Sequence, residues 1–277
     1  MQPPLPSVTP TWRNDTYEAI SPSRPELSAA GKTIIVAGAG SGIGRETALA
    51  FATAGAARVS LLGRTEAAIA ETAASLPSSV QSDVHTVDIT DEQTLIKVAA
   101  AIGKWDILVL TSGYVSSPSP VAGSATDDWW QSFETNTKGT YLVSKVFLPT
   151  ANPSHASIVA LTTGTTALPA VALPGLSAYM ASKLAQTKII EFLAAENPNI
   201  FAVTLHPGMV ETDIFTKSGA KAEALPMDKA SPEAAFLNGR TVWANWDVEE
   251  LKKGTGAIQS GQLLTSGING WPYTSLA

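Results

Sequence analysis

Short apolar runs alternate with longer amphipathic stretches along the chain from Gly31 onward. The short runs are rich in β-branched residues, which is typical of buried strands, whereas the longer stretches are typical of helices. The predicted strands are Thr33–Ala37, Arg58–Leu62, Val84–Asp88, Ile107–Leu110, Ser157–Leu161, Phe201–Leu205 and Gln262–Leu264. The predicted helices are Gly42–Thr53, Glu66–Ser75, Asp91–Ile102, Asp127–Phe147 and Ala178–Ala195.

This regular alternation of strand and helix predicts parallel strands that are joined by right-handed crossovers. We therefore expect the α/β fold class, with a single Rossmann-type, doubly wound parallel sheet of about seven strands and helices on both faces. Ligands of such sheets bind at the carboxyl ends of the strands. Candidate site residues are therefore sought directly after each strand.

The first thirty residues depart from this pattern. They contain six prolines and show no period, so residues 1–30 are predicted to form a proline-rich N-terminal arm that is irregular or ordered only by lying on the domain. Residues 31–277 are predicted to form one domain, which is long enough to bury its core without disulfides or metals.

Composition narrows the choice of partners. A net charge of −6 and a pI of about 5.1 argue against nucleic acid and anionic membranes. The absence of cysteine excludes a thiol nucleophile, and the three histidines lack metal-ligand spacing, so no metal site is predicted. No apolar run reaches about 18 residues and no signal-peptide pattern is present, so we expect a cytoplasmic protein.

A glycine-rich segment follows the first predicted strand and leads at once into a helix. Glycines at such a point let the backbone approach a pyrophosphate, which then sits on the helix N-terminus. A tight structural turn is the alternative. The predicted dinucleotide contacts in this segment are Gly38, Ser41, Gly42, Ile43 and Gly44.

Two charged residues at the next strand ends refine the choice of cofactor. Arg64 lies 20 residues after Gly44, where an NAD site would carry an acid. A guanidinium suits the 2′-phosphate of NADP(H), and Arg45 could assist, although Arg64 could also be a surface residue that opens a helix. Asp88 could accept a bond from the adenine amino group or cap the following helix.

Tyr179 and Lys183 stand four apart in a predicted helix and therefore share a face. A nearby ammonium lowers the pKa of a phenol, so the pair is predicted to act as a proton donor and acceptor for a carbonyl or alcohol. Tyr141 and Lys145 have the same spacing. They lie inside the preceding helix with no strand end beside them, so we interpret them as structural.

Together these motifs resemble the short-chain dehydrogenase/reductase family, its fungal members in particular, over roughly residues 32–270. Residues 37–44 resemble the family's nucleotide loop, with Ala37 in place of its threonine. The resemblance implies that Asn136 belongs to a catalytic tetrad and holds a water that passes protons from Lys183. It implies further cofactor contacts from Gly113, Pro207, Gly208, Val210 and Thr212.

The chain departs from the family pattern at two places. Residues 110–113 replace an Asn-Asn-Ala-Gly segment, for which we expect an adapted site. The substrate-polarising serine is also absent, and strand register puts Thr163 in its place. Because Thr163 lies 16 residues before Tyr179, about three more than the family interval, counting back instead favours Thr166. Thr163 is our prediction for the catalytic hydroxyl, together with Asn136, Tyr179 and Lys183.

The sequence thus predicts an NADP(H)-dependent oxidoreductase, a ketoreductase by resemblance, that acts on a small, hydrophobic molecule. A substrate lid is predicted near residues 213–238, where Ile214, Phe215, Leu225 and Met227 hint at an apolar substrate. The family's habit implies a homodimer or homotetramer. A non-redox member of the fold, such as an epimerase, dehydratase or cyclase, and a non-catalytic dinucleotide-binding protein are the alternatives.

Overall fold

The computed structural model describes residues 7–219, 237–261 and 263–267 of the chain. Within these ranges, seven parallel strands form one sheet in the order β3-β2-β1-β4-β5-β6-β7. The strands are β1 (Thr33–Ala37), β2 (Arg58–Gly63), β3 (Gln81–Thr86), β4 (Ile107–Leu110), β5 (Ala156–Leu161), β6 (Ile200–His206) and β7 (Thr241–Trp243). The predicted fold class is confirmed.

Helices connect the strands on both faces of the sheet. They are α1 (Gly42–Thr53), α2 (Glu66–Ala74), α3 (Glu92–Ile102), α4 (Thr126–Phe133), α5 (Thr140–Phe147), α6 (Ser177–Glu196), α7 (Asp213–Lys217), α8 (Val248–Lys253) and α9 (Thr255–Ser260). Local signals set several of their ends. The Asp91 carboxylate caps α3 by accepting a bond from the Thr94 backbone N–H, and Gly103, with a φ of 73°, ends it.

Two predicted strands were placed wrongly. The seventh strand is Thr241–Trp243 and not Gln262–Leu264: Gln262 lies outside the described residues, and Leu264 has a φ of 65°, which a strand residue does not adopt. The third strand begins and ends earlier than Val84–Asp88. It is an edge strand whose first residues are polar, and a salt bridge from Arg58 to Asp83 stabilises it there in place of apolar burial.

The predicted helix Asp127–Phe147 is continuous but not uniform. Residues Glu134–Gly139 between α4 and α5 form a turn of π-helix, hereafter the π-turn, in which Asn136 is fully buried. Such π-turns occur mostly at functional sites, because the widened turn redirects side chains and frees backbone groups. The hydrophobic periodicity of the sequence does not distinguish this turn from α-helix.

The core lies in two layers, one on each face of the sheet. One layer joins α3, α5 and α6 to the sheet and includes the fully buried side chains of Trp105 and Phe147. The other joins α1 and α2 to β1 and β2. The order of the sheet reverses between β1 and β4, so the loops that follow these two strands diverge and leave a crevice at the carboxyl edge.

Residues 7–30 run from the β7 end of the sheet to the end of α1, where the Ala29 N–H donates to the Ala54 carbonyl at 2.8 Å, and they contain two short 3-10 helices, Glu18–Ile20 and Pro25–Leu27. Trp12 is buried and bridges to Trp246 next to β7. Of the predicted lid, residues 213–219, 237 and 238 are described and include α7, whereas 220–236 lie outside the described residues, as do Leu225 and Met227. No helix in the described ranges is long and apolar enough to cross a membrane.

Candidate active site

In the turn after β1, two segments of backbone approach each other so closely that only glycine fits between them. A Cβ atom on Gly44 would lie 2.1 Å from the carbonyl oxygen of Gly38, and one on Gly38, whose φ is 99°, would lie 2.6 Å from Thr111 Oγ1. Helix α1 then begins at Gly42, and Ser41 at its N-cap forms no side-chain capping bond. The first turn of α1 therefore keeps backbone N–H groups available for an anion such as a pyrophosphate.

The segment that replaces the family's amide-rich motif closes the other side of this turn. The Thr111 hydroxyl donates to the Ala37 carbonyl at 2.8 Å, and the Ser112 backbone N–H donates to the same oxygen at 3.0 Å. Gly113 follows, in the crevice between β1 and β4. The substituted residues thus hold the ends of β1 and β4 together, as the prediction of an adapted site requires.

The loop after β6 faces the glycine-rich turn across the crevice. Gly208 has a φ of 86°, and the Thr212 Cγ2 atom lies 3.3 Å from where a Cβ of Gly42 would stand. Thr212 also caps α7 by accepting a bond from the Phe215 N–H at 3.3 Å. Helix α7 in turn places Ile214 Cδ1 3.2 Å from the Cβ position of Gly113. The structure therefore brings the predicted loop 207–212 to the same crevice.

The two arginines near the glycine-rich turn have different surroundings. Arg45 is held by Glu71 at 3.0 Å, by the Gly40 carbonyl at 3.0 Å and by the Thr72 hydroxyl at 3.2 Å. Arg64 is exposed after β2 and makes no hydrogen bond or ion pair with the residues that the structure describes. Arg64 is therefore the one of the two whose guanidinium is free for a phosphate.

Asp88 lies two residues beyond β3, on the same edge of the sheet. Its Oδ1 accepts bonds from the Thr90 N–H at 2.9 Å and the Thr90 hydroxyl at 2.8 Å. No described residue donates to its Oδ2. The carboxylate therefore orders its own turn rather than capping α3, which Asp91 does, and keeps an oxygen for a further donor.

Tyr179 and Lys183 lie on the same face of α6, and burial shifts their pKa values in opposite directions. It lowers the pKa of Lys183, whose residue is 4% exposed, to about 7. It raises the pKa of the half-buried Tyr179 to about 12. Burial is the cause of this rise, so the expected lowering of the tyrosine pKa by the Lys183 ammonium is not found in this structure. Tyr179 is a neutral phenol at pH 7.

Neutral oxygen atoms hold the Lys183 ammonium. Its Nζ donates to the Leu161 carbonyl at the end of β5 at 2.7 Å and to Gln186 Oε1 at 2.9 Å. It also lies 3.9 Å from the Cβ position of Gly113. The Tyr179 hydroxyl forms no hydrogen bond to any residue in the described ranges. Both groups therefore remain available to a ligand in the crevice.

The π-turn connects this pair to the loop after β4. The Asn136 side chain donates to the Ser182 hydroxyl at 2.9 Å, and Ser182 donates to the Tyr179 carbonyl at 2.9 Å. The same asparagine bonds the Tyr114 backbone, and its own carbonyl accepts from Thr140 Oγ1 at 2.8 Å. The predicted tetrad asparagine is thus brought beside Tyr179 and Lys183.

Thr163 lies two residues after the end of β5 and is 8% exposed. Its hydroxyl is 2.7 Å from that of Thr165, which also contacts the Met180 sulfur at 3.4 Å on α6. Thr166 instead donates its hydroxyl to the Thr163 carbonyl at 2.8 Å. The residues between Thr163 and Tyr179 form two short 3-10 turns, which accommodates the longer interval.

Other sequence candidates lie elsewhere. Tyr141 is 49% exposed, and Lys145 forms an ion pair with Glu92 at 2.7 Å on the surface. His85 contacts Asp83 and His155 contacts Asp106. In the described part of the chain, no three potential ligands cluster as a metal site would require.

Sequence reasoning missed Gln186, Thr140 and Ser182. All three are buried, and each is bonded to a tetrad residue. Gln186 lies three positions after Lys183 on one helix, so its spacing could have indicated the contact. Thr140 and Ser182 carry no such signal, since small hydroxyl residues are common in helices.

Comparisons with known proteins agree with this geometry. The family profile described as short chain dehydrogenase matches residues 32–223. The chain is 34% identical over 291 aligned residues to a short chain dehydrogenase of Monascus purpureus, covering 94% of this chain and 97% of that protein. It is 32% identical to a short chain dehydrogenase/reductase of Claviceps purpurea, with 89% of each chain covered.

Solved structures give the same answer. The citronellol catabolism dehydrogenase of Pseudomonas aeruginosa is 27% identical, with a TM-score of 0.64 over 79% of this chain and 95% of that one. A Pseudomonas syringae protein assigned to the short chain dehydrogenases is 25% identical, with a TM-score of 0.71 over 80% and 97% of the two chains. The chain described here belongs to the short-chain dehydrogenase/reductase family of oxidoreductases, and its curated relatives include fungal members.

Proposed function

We propose that the chain is an NADP(H)-dependent carbonyl reductase that moves a hydride between the nicotinamide and a carbonyl or alcohol carbon of a small, hydrophobic molecule. The observation that carries the proposal is the position of the Lys183 ammonium. It faces Gly113 in the crevice between β1 and β4, one helical turn from the Tyr179 hydroxyl, which bonds no residue of the described ranges. A proton donor therefore stands beside the place where the fold binds its ligands.

The residues present fit a dinucleotide. The Gly38 and Gly44 positions leave no room for a side chain, and the first turn of α1 is free for the pyrophosphate. Arg64 would hold the 2′-phosphate, and Asp88 Oδ2 would accept the adenine amino group. The residues proposed to contact the cofactor are Gly38, Ser41, Gly42, Ile43, Gly44, Arg64, Asp88, Gly113, Tyr179, Lys183, Pro207, Gly208, Val210 and Thr212.

The proposed chemistry divides between the cofactor and four side chains. The bound nicotinamide supplies or accepts the hydride. Tyr179 is a neutral phenol at pH 7, with its pKa raised by burial to about 12, and donates its proton to the carbonyl oxygen during reduction. Thr163 donates a hydrogen bond to the same oxygen, while Lys183 binds the nicotinamide ribose and Asn136 holds a water that passes protons from Lys183.

Preference for NADP(H) over NAD(H) rests on Arg64. Its guanidinium is exposed and unpaired among the described residues, directly after β2. Arg45 is engaged by Glu71 and the Gly40 carbonyl, so it contributes to the packing of α1 on α2. A free guanidinium at this strand end matches a phosphate, whereas an NAD site places a carboxylate there.

The proposed substrate is a small apolar carbonyl compound. Ile214 of α7 reaches the Gly113 position, and Phe215 lies on the same short helix. The loops 115–125 and 167–177 are the remaining segments that we propose to contact the substrate. The lid function of residues 213–238 is part of this proposal, and α7 is its described portion.

We propose that the chain forms a homodimer or homotetramer through the outer face of α5 and α6. This face exposes large apolar side chains, with Tyr141 at 49%, Leu184 at 43% and Phe192 at 58%. Exposed apolar patches of this kind mark interaction surfaces. Light scattering after gel filtration measures the oligomer, and Phe192→Asp is expected to dissociate it, while wild-type protein that is monomeric would contradict the proposal.

The loss of NADPH absorbance with a panel of ketones and aldehydes tests the function, with NADH as the comparison cofactor. Tyr179→Phe is expected to lower kcat by orders of magnitude and to keep NADPH binding, since only the acidic proton is removed. Tyr141→Phe is the matched control and should keep full activity. NADPH binding without turnover of any carbonyl would favour a non-redox or non-catalytic member of the fold.

A further inference from the structure

We propose that Gln186 is a positioning residue for Lys183: its side-chain oxygen holds the ammonium toward the crevice, and its amide nitrogen anchors that contact to the π-turn through Thr140. This inference rests on the proposed function and deepens it. It concerns a residue that lies behind Lys183, one turn further along α6.

The contacts form an unbroken chain of side-chain hydrogen bonds. Lys183 Nζ donates to Gln186 Oε1 at 2.9 Å, and Gln186 Nε2 donates to Thr140 Oγ1 at 2.9 Å. Thr140 Oγ1 then donates to the Asn136 carbonyl at 2.8 Å. The single proton of the Thr140 hydroxyl is donated to the Asn136 carbonyl, so this hydroxyl accepts from the Gln186 amide nitrogen, and the amide oxygen of Gln186 then faces the ammonium.

Burial makes this orientation consequential. Gln186 is 0% exposed and Thr140 is 3% exposed, so water does not compete for these bonds. A buried amide without hydrogen-bond partners would destabilise the fold. Glutamine is tolerated at position 186 because Lys183 and Thr140 provide those partners. Two fixed oxygens, those of Gln186 and Leu161, each accept one N–H of the ammonium. The direction of its third N–H is therefore fixed as well.

No charged neighbour takes over this role. Burial is the cause of the lowered pKa of Lys183, and no acidic side chain of the described residues pairs with it. The titratable groups on its own turn of α6 and on the elements packed against α6 are Tyr179, Asp127 and Asp128 on α4, Glu134 and Lys138 on the π-turn, Tyr141 and Lys145 on α5, and His206 at the end of β6. Glu134 pairs with Lys138, and Asp128 accepts bonds from Tyr114 and Ser117.

The Gln186 oxygen therefore acts on Lys183 in two ways. It fixes the direction of the ammonium, and it stabilises the charged form, because an acceptor bonded to an ammonium favours protonation. Without it, only the Leu161 carbonyl would oppose the effect of burial on Lys183, and the lysine would lose its proton at a lower pH. A carboxylate in the same place would favour the ammonium more strongly and raise that pH.

Opposite substitutions test this role. NADPH affinity is measured by fluorescence titration across a pH series for the wild type, Gln186→Met and Gln186→Glu. The methionine variant, similar in size, is expected to lose affinity at a pH about one unit lower than wild type, as expected for one bond to a charged group. The glutamate variant is expected to move this loss of affinity, hereafter the pH limb, to higher pH. The pH profile of kcat/KM should shift in the same direction.

Matched variants separate positioning from folding. Thr140→Val removes the anchor and should shift the limb in the same direction as Gln186→Met but less. Thr187→Val alters the next buried side chain on α6, which bonds the Thr162 hydroxyl and the Lys183 carbonyl but not Nζ, and should leave the limb in place. Thermal unfolding confirms that each variant is folded, and the glutamate variant provides the test if the methionine variant is not.

Two outcomes would overturn the proposal. One is that both Gln186 variants keep the wild-type pH limb and lose only stability. The other is that both variants shift the pH limb in the same direction, because a general packing defect would act alike in both, whatever the charge of the new side chain. The binding titration needs no substrate, so it decides the role of Gln186 even if no carbonyl is reduced and the proposed function fails.

Discussion

The side-chain amide of Asn136 forms two hydrogen bonds to the backbone of Tyr114. Its Oδ1 accepts from the Tyr114 N–H at 2.8 Å, and its Nδ2 donates to the Tyr114 carbonyl at 2.8 Å. Asn136 belongs to the π-turn, and Tyr114 follows Gly113 in the loop after β4. One fully buried side chain therefore fixes the distance between the π-turn and the loop after β4.

Asn136→Ala is expected to destabilise the protein by on the order of 3 kcal/mol, because it leaves backbone groups of Tyr114 without partners. Activity should fall as well, since the loop after β4 loses its attachment. Urea unfolding measures the stability. Asn197→Ala is the control: it removes one bond to the Leu193 carbonyl at the end of α6 and should cost roughly 1 kcal/mol or less. Equal effects of the two substitutions would contradict the role given to Asn136.

Arg64→Ala should weaken NADPH binding by about ten- to hundredfold and leave NADH binding nearly unchanged, because the guanidinium would contact only the extra phosphate. Fluorescence titration with both cofactors measures the difference. Arg45→Ala is the matched control. It breaks the contacts to Glu71 and the Gly40 carbonyl, so it should affect both cofactors alike. Tighter binding of NADH than NADPH by the wild type would refute the cofactor preference.

Substitution of the two threonines distinguishes the candidates for the polarising hydroxyl. Thr163→Val, which keeps the shape of the side chain, should lower kcat by about a hundredfold if its hydroxyl stabilises the developing charge on the carbonyl oxygen. Thr166→Val should have a smaller effect, because that hydroxyl already donates to the Thr163 carbonyl. Steady-state kinetics provide the comparison, and Thr163→Ser should restore activity. A larger loss in Thr166→Val would reverse the assignment.

Lys183 should make stability depend on pH in the absence of cofactor. Its pKa falls from 10.5 to about 7 on burial, so the unfolded chain binds the extra proton between these values. Stability from this group therefore rises as pH increases from about 7 to 10.5, and below pH 7 the buried charge opposes folding in full. Thermal unfolding at several pH values should show this rise in the wild type and its loss in Lys183→Met.

Tyr179 acts in the opposite sense at higher pH. Its pKa is raised from 10.0 to about 12, so its contribution is fully present below pH 10 and is lost as pH rises toward 12. Tyr179→Phe should remove that decline and leave the slope between pH 7 and 10 unchanged. A pH slope in this lower range that persists in Lys183→Met would show that Lys183 is not its source.

Arg13 should stabilise the fold by holding residues 7–30 to α8. Its guanidinium bonds Asp247 Oδ2 at 2.6 and 2.8 Å, and the Asp247 side chain is only 6% exposed. Burial raises the pKa of Asp247, but the bond from Arg13 and the backbone N–H groups of α8 outweigh it, so the net pKa is lowered. Arg13→Ala is expected to cost about 2 kcal/mol at neutral pH, because it leaves a buried carboxylate short of a donor.

The pH dependence checks this explanation. A lowered carboxyl pKa stabilises the fold above the unfolded value of 3.8, and the effect is lost as pH falls through the folded value. The difference between wild type and Arg13→Ala should therefore shrink in acid. Arg24→Ala, which breaks the surface pair with Glu26, is the control and should change the melting temperature little. A constant difference at all pH values would exclude the ion pair as its cause.

The sequence by itself determined the order of the elements and the fold class. Hydrophobic periodicity is a local property, so it located β1, α1 and α6 within a residue or two. It also singled out Tyr179 and Lys183 over Tyr141 and Lys145, because only the former pair follows a strand end, and the structure places the latter on the surface.

Only the tertiary structure decided the seventh strand, the π-turn, the partner of each arginine and the contact between Lys183 and Gln186. β7 exists because Thr241–Trp243 pairs with β6, and Arg45 is engaged because the fold brings Glu71 of α2 beside it. The burial that lowers the pKa of Lys183 and raises that of Tyr179 likewise comes from neighbours distant in sequence. Such effects depend on contacts between residues that are distant in sequence, and local hydrophobic periodicity does not encode those contacts.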